Sequence, residues 1–408
     1  MPVALKLVIK KLVFPNNIPR IPSYVVFSPR VKRCNSDCKN LDKTEGASFD
    51  LSEELALQRA ISEVIERYTL LHFKEGNFVE KTPKELGDGA VPLNEFIIYP
   101  DSVYHTENFT LKKFTSNLII RWVKSRDIYS GEAKYLPADY IYPKSVKKRY
   151  SRIEFFSSNG AAAGSTEKQV ITNGLCEVIE RDALMCHWFT RMNIVELTLN
   201  VKINNAIENL IRVIVSTNRR LSIYLVTNEF GISTILALIR SKTKPYYSFG
   251  SSCKLNIAVA IERAIEEAIM ILRSQTLLYQ NRYKHGSSII TLIDHIMLTS
   301  NREYCGNLLY LDKVKTSSKK ELIKVISSHP RSLKEIVSRL RMNGYNCYCV
   351  NTTTDQARSL GLYAGKVVVP GLYPLERDQR FLHAGLQRLK RFTKSSGMIY
   401  NKLPHPFG

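Results

Sequence analysis

Apolar residues recur at helical spacing in two segments of the chain. In the first segment they fall at Leu57, Ala60, Ile61, Val64, Ile65 and Tyr68. In the second they fall at Ile171, Leu175, Val178, Ile179 and Ala183. A period of about 3.6 residues predicts two amphipathic helices. Capping boxes are predicted at their starts, where Asp50 precedes Glu53 and Thr166 precedes Gln169.

The rest of the chain alternates between strand and helix patterns. Strands are predicted near residues 2–11, 222–226, 234–239, 346–351 and 366–370, and the second and third of these form a hairpin. Helices are predicted near residues 255–280, 319–327 and 331–342, the last of them stopped by Gly344. We therefore predict a mixed α/β (α+β) fold of repeated strand–helix units. Its N-terminal segment covers residues 1–45, and one large domain covers residues 46–408.

Both of the first two helices carry the sequence Glu-Val-Ile-Glu-Arg. The glutamates are Glu63, Glu66, Glu177 and Glu180, and the arginines are Arg67 and Arg181. Glutamates three residues apart share a helix face, so four carboxylates converge if both apolar stripes enter one core. Such a group needs a cation, and Mg²⁺ takes carboxylate, water and phosphate oxygens. The repeat indicates a metal–phosphate site, although one copy alone is typical of an exposed helix and duplication without function stays open.

A segment of small residues, 157–167, leads into the second helix. Its two glycines let the backbone approach a ligand, and a helix N-terminus favours an anion. It lacks the lysine of a Walker A loop and the glycine spacing of a dinucleotide fingerprint, and such turns are usually only turns. The third helix carries Glu262, Arg263, Glu266 and Glu267, a pattern typical of a solvated face.

The chain is strongly basic. Its 59 Lys and Arg against 37 Asp and Glu give a net charge of +22. This charge would attract polyanions such as nucleotides, acidic peptides or nucleic acid. The alternative is that it only keeps the protein surface soluble. Nucleic-acid binding is disfavoured because no RRM, KH or helix-turn-helix signature occurs. The densest basic stretch, residues 144–152, resembles a solvated connector. No apolar stretch is long enough for a membrane helix, and the start reads as a strand, so we expect a cytoplasmic protein without membrane contact.

Eight cysteines are scattered along the chain. Without a secretory signal we expect free thiols. Cys34 and Cys38 have metal-like spacing, but no second close pair completes a zinc site.

Taken as an ordered set, the motifs from about residue 45 onward resemble the YcaO family. The matching segments are Asn159–Gly164, Leu175–Ala183, Glu63–Tyr68, Ala260–Glu267 and Val367–Pro374. Each is weak alone, and their order is specific. The resemblance implies a YcaO-type fold around a cleft for ATP and Mg²⁺.

The resemblance also implies roles for individual residues. The implied metal ligands are Glu63, Glu66, Gln169, Glu177 and Glu180, and the implied nucleotide contacts are Ser158, Asn159, Ser165, Arg67, Arg181, Arg263 and Glu267. Gln169 stands where the family usually has a carboxylate. Its amide oxygen can ligate Mg²⁺ but adds no charge, and Glu167 is an alternative nearby.

The last residues are similar to the Pro-His-Pro-Phe-Pro tail of azoline-forming YcaO enzymes, with Gly408 in place of the last proline. In that family the tail reaches the active site, which implies catalytic roles for His405, Pro406 and Phe407, whereas an ordinary terminus frays. The implied reaction is ATP-dependent cyclodehydration of Cys, Ser or Thr in a ribosomally made precursor peptide. The implied partners are that peptide, an E1-like or ThiF-like leader-binding protein and an FMN dehydrogenase, and a homodimer is a further expectation.

Three alternatives remain. A YcaO thioamide-forming enzyme with a TfuA-type partner keeps the ATP site, but the Pro-rich tail and the lack of Gly-Lys-Gly within residues 46–50 disfavour it. A non-catalytic scaffold with the same fold is kept open by Gln169 and Gly408. A nucleic-acid binder is suggested by charge alone and would show steep salt dependence without an ATP effect.

Overall fold

The computed structural model describes residues 5, 7–13, 21–28, 44–143, 151–198, 205–241, 247–280, 288–383, 385–393 and 400–408. Thirteen strands are described: β1 Val8–Lys11, β2 Ser23–Phe27, β3 Glu45–Phe49, β4 Phe78–Lys81, β5 Ile120–Asp127, β6 Ala133–Pro137, β7 Ala161–Gly164, β8 Ile194–Glu196, β9 Arg219–Val226, β10 Thr234–Ser241, β11 Tyr247–Ser252, β12 Tyr348–Asn351 and β13 Tyr363–Val368. The described α-helices are α1 Glu53–Leu71, α2 Pro83–Leu86, α3 Asp101–Tyr104, α4 Glu167–Thr190, α5 Asn205–Ser216, α6 Ile257–Gln280, α7 Leu292–Leu298, α8 Arg302–Gly306, α9 Lys319–Ser328, α10 Leu333–Met342, α11 Asp355–Ser359 and α12 Leu386–Thr393.

The chain divides into two compact units. Unit 1 contains the described residues within 1–13, 21–178 and 340–371, and unit 2 contains those within 179–339 and 372–408. Helix α4 belongs to both, because its first half lies in unit 1 and its second half, from Ile179, in unit 2.

Unit 1 contains two antiparallel sheets. One has the order β1-β2-β3, and the other has the order β4-β5-β12-β13-β7 with β6 paired to β5. Helix α1 packs against the small sheet through the predicted apolar stripe, with Ala60, Val64 and Ile65 fully buried. Its N-cap is Ser52, whose hydroxyl accepts from the Leu55 N–H, and not Asp50. Asp50 instead accepts from the Ser52 N–H, so the predicted capping box is wrong by two residues.

Unit 2 is built on a four-stranded antiparallel sheet, β11-β10-β9-β8. The predicted hairpin is confirmed, with Thr234 opposite Val226. Helix α6 covers this sheet through Ala264, Ile265 and Ala268, which are fully buried.

The mixed α/β fold class and the predicted helices near 255–280, 319–327 and 331–342 are confirmed. Gly344 has a φ of +81°, as expected of a residue that ends a helix. The boundary near residue 45 stays a prediction, and β3 begins at that point and pairs with β2. Cys34, Cys38 and residues 144–150 lie outside the described residues, as do most of the first residues of the predicted N-terminal strand. Within the described chain, none of the helices has the length and apolar character that crossing a bilayer requires.

Candidate functional site

In unit 1, Glu63 and Arg67 form a fixed pair on α1. Glu63 accepts from the Ala47 N–H at 2.9 Å and from the Arg67 guanidinium at 2.6 Å. Arg67 also donates to the Glu45 carbonyl at 2.8 Å. Burial raises the pKa of Glu63, and the Arg67 charge opposes that rise. Strand β3 therefore orients the first predicted ligand and its arginine.

One helical turn further, Glu66 lies in a crowded electrostatic environment. Its pKa is raised well above the usual value by burial and by the charges of Glu177 and Glu63, while Arg67 and Lys366 act in the opposite direction. Burial lowers the pKa of Lys366 to about 7, against the charges of Glu177, Glu66 and Glu154. The electrostatic neighbours of Glu66 therefore include Glu177, which lies on a different helix, and the buried Lys366.

The segment before α4 is held by its own polar groups. The Thr166 hydroxyl accepts from the Gln169 N–H at 3.1 Å, so the predicted N-cap is confirmed. The Gln169 side chain does not complete the predicted box, because its Oε1 accepts from the Ser165 N–H and hydroxyl at 3.0 Å each. Asn159 lies in the same segment with a buried Oδ1 that accepts from none of the described groups. This atom is a free acceptor for a ligand, and Ser158 nearby is exposed.

Gly160, the first glycine of this segment, allows close packing against β13. Gly160 has a φ of +80°, and a Cβ there would lie 2.1 Å from the Val367 carbonyl oxygen. Residues Ala161–Gly164 form strand β7 and pair with β13. The sequence interpretation of the whole segment as a turn open to a ligand is therefore wrong for its second half.

In unit 2, Ser251 links two acidic side chains. Its hydroxyl donates to Glu180 Oε1 at 2.7 Å, and its N–H donates to Glu267 Oε2 at 2.5 Å. The Cys253 N–H donates to Glu180 Oε2 at 2.8 Å. Burial, together with the Glu180 charge, raises the pKa of Glu267 to about 7, and Arg181 acts in the opposite direction.

Arg263, a predicted nucleotide contact, donates to Glu266 at 2.5 Å on the same helix. Glu266 is only 2% exposed. The prediction of a solvated face on α6 is therefore wrong here, because Glu266 and Glu267 point into the unit.

The segment 404–408 is anchored in unit 2. Arg181 donates to the Gly408 carbonyl at 2.5 Å. Phe407, 4% exposed, packs against Trp188 and Phe249. The predicted catalytic residue His405 is 1% exposed, and its ring stacks on His295 with centroids 3.9 Å apart.

The surroundings of His405 indicate that it fixes this segment. Its carbonyl oxygen lies 2.7 Å from His295 Nδ1, and its Nε2 contacts the Glu376 carbonyl. Burial and the neighbouring His295 hold the pKa of His405 well below its usual value. His405 is therefore held in place by its stacking and its backbone contacts, and its neighbour Pro406 is also buried. The catalytic roles of these residues stay predictions.

The structure contains a repeat that differs from the one in the sequence. A Cβ at Gly46 would lie 2.5 Å from the Ala60 carbonyl of α1, and a Cβ at Gly250 would lie 2.2 Å from the Ala264 carbonyl of α6. In each case the next residue donates its N–H to a helix glutamate, Glu63 or Glu267. The strand–helix pair β3–α1 thus matches β11–α6, and α4 contributes Glu177 to unit 1 and Glu180 to unit 2.

Sequence reasoning missed Lys366, Ser251 and Cys253 as site residues. A signal existed for two of them. Lys366 is a lysine that directly precedes the apolar run Val367–Val369, and Ser251 follows Gly250 just as Ala47 follows Gly46. Cys253 acts through its backbone N–H, which leaves no signal in the residue type.

The donor set fits Mg²⁺ bound together with a polyphosphate. Among the residues that the structure describes, no group of three or more His, Cys, Asp or Glu side chains is arranged to hold a metal ion. Mg²⁺ rarely needs three or more protein side chains as ligands, because it binds one or two carboxylates and takes its remaining ligands from water and phosphate. Glu180 and Glu267, which share Ser251 as a hydrogen-bond donor, are carboxylates that such a site could use, and so is Glu66, whose pKa is raised by burial and by the charge of Glu177.

Comparison with known proteins gives a family match. A family model described as YcaO cyclodehydratase, ATP- and Mg²⁺-binding, matches residues 50–373. An uncharacterized protein of Methanothermobacter thermautotrophicus is 24% identical over 322 residues, which is 77% of each chain.

Solved structures show the same fold at low identity. A heterocyclase in complex with substrate and cofactor has a TM-score of 0.75 at 19% identity, over 98% of this chain and 55% of that one. YcaO from Methanopyrus kandleri, bound with AMPPCP and Mg²⁺, has a TM-score of 0.60 at 17% identity, over 93% and 89%. The E. coli microcin synthetase McbBCD complex with pro-MccB17 bound has a TM-score of 0.62 at 15% identity, over 96% and 97%. The chain spans about half the length of the heterocyclase.

Proposed function

Because the chain belongs to the YcaO family, we propose that it is an ATP-dependent peptide cyclodehydratase that forms thiazoline or oxazoline rings from Cys, Ser or Thr of a ribosomally made precursor. Its cofactors are ATP and Mg²⁺, in keeping with the family description and with a neighbour bound to AMPPCP and Mg²⁺. The observation that carries the finer proposal is the contact of Arg181 with the Gly408 carbonyl. This contact holds the end of the Pro-His-Pro-Phe segment beside Arg181, which directly follows the proposed ligand Glu180.

The chemistry that this proposal requires is activation of an amide oxygen. The side-chain thiol or hydroxyl of the substrate gives up its proton and attacks the preceding carbonyl carbon, so a C–S or C–O bond forms while the π bond of the carbonyl breaks. ATP supplies a phosphoryl group to the resulting oxyanion, with ADP as the leaving group. The amide nitrogen loses its proton and expels phosphate, so the C–O bond breaks and a C=N bond remains. An amide oxygen leaves poorly, and its phosphate ester leaves well.

The chain's own residues serve binding and charge control. Glu63, Glu66 and Glu177 in unit 1, and Glu180 and Glu267 in unit 2, would hold Mg²⁺. Hydrogen bonds from Ala47, Ser251 and Cys253 fix three of these carboxylates before any ligand binds, namely those of Glu63, Glu180 and Glu267. Such fixed charges contribute most of the catalysis in phosphoryl transfer.

Four further residues, each predicted from the sequence, complete this binding set. Arg67 and Arg181 are placed beside carboxylates, where a guanidinium can also meet phosphate oxygens. Asn159 offers its free Oδ1 to a donor such as a nucleotide hydroxyl or amine. Gln169 is turned towards Ser165, so it would have to reorient or share its Oε1 to ligate Mg²⁺.

The proposed partners are the precursor peptide and an E1-like or ThiF-like leader-binding protein, with an FMN dehydrogenase acting on the product. Two observations support partners of this kind. A neighbour with the same fold is part of a complex with pro-MccB17 bound. The net charge of +22 also suits an acidic leader or an acidic partner surface.

The first test is calorimetric titration of ATP in the presence and absence of Mg²⁺. The wild type is compared with E177Q/E180Q, and with E54Q/E303Q as a control that removes two exposed carboxylates from helices. We expect Mg²⁺-dependent binding that only E177Q/E180Q abolishes. Absence of binding by folded wild type would leave a scaffold or a nucleic-acid binder as the better explanation.

The second test identifies the product by mass spectrometry of a peptide substrate. Loss of one water for each modified Cys, Ser or Thr supports the cyclodehydratase. Replacement of one oxygen by sulfur, dependent on added sulfide, supports the thioamide-forming alternative. Tight ATP binding without any mass change or ATP turnover, with peptide and partner both present, supports the scaffold.

A further inference from the structure

A cleft of about 280 Å³ lies in unit 1, between the first turns of α4 and the strands β5, β12 and β13. Residues that lie opposite one another on paired strands share a face of the sheet. Arg126 lies opposite Cys349, and Asn351 lies opposite Gly365, and all four line the cleft. A Cβ at Gly365 would lie 3.1 Å from Val170 Cγ1, so the sheet approaches α4 closely here. The cleft is therefore part of the way α4 packs on the sheet.

The mouth of the cleft carries an excess of positive charge. Lys124 and Arg126 are two residues apart on β5, so their side chains share a face, and both are exposed. The Glu167 carboxylate lies 3.9 Å from Arg126 Nη2, and both of these side chains are more than half exposed. An exposed ion pair at this distance contributes little. These three are the charged side chains among the described residues that line the cleft, and two cations against one carboxylate leave one positive charge.

The floor of the cleft is apolar. Val170 and Ile171 line it from α4 and are only 3% and 6% exposed. The Cys349 thiol lines it from β12. Burial raises the pKa of this thiol to about 11, Arg126 acts in the opposite direction and Glu167 adds to the rise. The charges of the mouth therefore lie close to the apolar floor.

This combination selects a ligand with an apolar body and one anionic group. Pockets for drug-sized ligands occupy about 300–1,000 Å³, so this cleft takes a smaller body such as a single ring. Asn351 at the rim accepts from the Thr353 N–H at 2.9 Å through its Oδ1, which turns its amide N–H groups towards other acceptors. The Glu167 carboxylate in the mouth disfavours a polyanion such as a triphosphate.

The cleft is separate from the candidate nucleotide site. The residues proposed to hold Mg²⁺ are not among the described residues that line it. Gln169 directly precedes Val170, but its Oε1 accepts from the Ser165 N–H and hydroxyl, away from the cleft. The first turn of α4 thus presents Gln169 to the segment before the helix, and Val170 and Ile171 to the cleft.

We propose that this cleft is a second binding site, which takes a small anion with an apolar body. Lys124 and Arg126 meet the anionic group, and Val170 and Ile171 receive the apolar body. An arylacetate represents this class of ligand. The site goes beyond the proposed function and holds whichever reaction the chain catalyses.

The test is fluorine NMR of para-fluorophenylacetate added to the full chain, with line broadening of the probe as the measure of binding. Trifluoroacetate, an anion without a ring, and para-fluorobenzyl alcohol, a ring without charge, should both bind more weakly. We expect K124M/R126M to weaken the affinity for para-fluorophenylacetate about 3–10-fold, as for the loss of two exposed ionic contacts. The control K112M/R331M, which removes an exposed lysine and an exposed arginine outside the cleft, should bind as the wild type does.

A second measurement locates the bound probe. Saturating para-fluorophenylacetate should slow the alkylation of Cys349 by iodoacetamide about 3-fold or more, because thiol reactivity requires access, and acetate should leave it unchanged. Mass spectrometry of the peptide that contains Cys349 measures the rate. The proposal is overturned if K124M/R126M binds the probe like the wild type, if the neutral alcohol binds equally well, or if Cys349 keeps its reactivity. Displacement of the probe by ATP and Mg²⁺ would assign it to the nucleotide site and would likewise overturn the proposal.

Discussion

Ser251 donates its hydroxyl hydrogen to Glu180 Oε1 at a distance of 2.7 Å. The same residue donates its backbone N–H to Glu267 at 2.5 Å, so one serine orients acidic side chains from α4 and from α6. Both carboxylates are buried or nearly so, and a hydrogen bond to a charged group is worth more in such a place than in water. Ser251 is therefore the organising residue of the unit 2 carboxylates.

Substitution S251A is expected to weaken Mg²⁺-dependent ATP binding about 10-fold. The reason is that Glu180 loses a charge-assisted hydrogen bond worth about 1.5–3 kcal/mol, while the backbone bond to Glu267 remains. Calorimetric titration of ATP measures the change. The control is S216A, which removes an exposed hydroxyl from the end of α5. Equal affinities of S251A and S216A would contradict this assignment.

The elements that the sequence predicts well are those fixed by local pattern. The apolar stripes of α1 and α4 and the hairpin β9–β10 follow directly from periods of 3.6 and 2. The start of α1 was misplaced because Ser52 and Asp50 are both good caps, and the choice between them depends on the Asp50 contacts with Ser52 and Arg59.

The candidate site is only partly visible in the sequence. The glutamates are visible because they repeat, but their environment is not. The pairing of Lys366 with Ser157, and of Glu180 with Cys253, joins residues far apart in the chain. The burial of Glu266 is likewise a tertiary effect, since an isolated α6 helix would expose this side chain to solvent. Period and motif therefore predict candidate ligands, and tertiary contacts determine the environment of their carboxylates.

Substitution G250A is expected to destabilise unit 2 and to abolish Mg²⁺-dependent ATP binding. An added Cβ would lie 2.2 Å from the Ala264 carbonyl and the Ala268 N–H, so strand β11 must move away from α6. That movement separates Ser251 from Glu267. Urea unfolding should show a loss of about 2–4 kcal/mol, in the range of strong overpacking. G306A is the control, because a Cβ there meets no atom within 4 Å. Wild-type stability of G250A would show that the strand has room to shift.

Substitution R388M is expected to cost about 3–5 kcal/mol of stability. The Arg388 guanidinium makes two hydrogen bonds to Asp182, at 2.8 and 2.5 Å, and one to Glu229 at 2.7 Å, and both Arg388 and Asp182 are buried. Removing it leaves the buried Asp182 and the partly buried Glu229 without their positively charged partner. Denaturant unfolding measures the loss, and R380M, in an exposed pair with Asp378, is the control. The double variant D182N/R388M should recover part of the loss, and a double variant less stable than R388M would contradict the charge argument.

His187 should make the protein less stable as the pH falls from 6.5 towards 4. Its Nδ1 faces the Met192 carbonyl at 2.9 Å and is therefore the protonated nitrogen, so Nε2 accepts from the Tyr310 hydroxyl at 2.9 Å. Burial lowers the pKa of His187 from 6.5 to about 4. Below pH 6.5 His187 binds a proton in the unfolded chain but not in the folded chain. The contribution of His187 to the free energy of unfolding is therefore fully present above pH 6.5 and is lost as the pH falls. Between pH 7.5 and 5.0, His187 should account for a loss of about 2 kcal/mol in the free energy of unfolding.

H187Q keeps a donor and an acceptor and should lose less stability over this range than wild type, as measured by urea unfolding at each pH. H105Q, which removes an exposed histidine, should follow the wild type, and an H187Q variant with the full wild-type slope would assign the acid sensitivity to other groups.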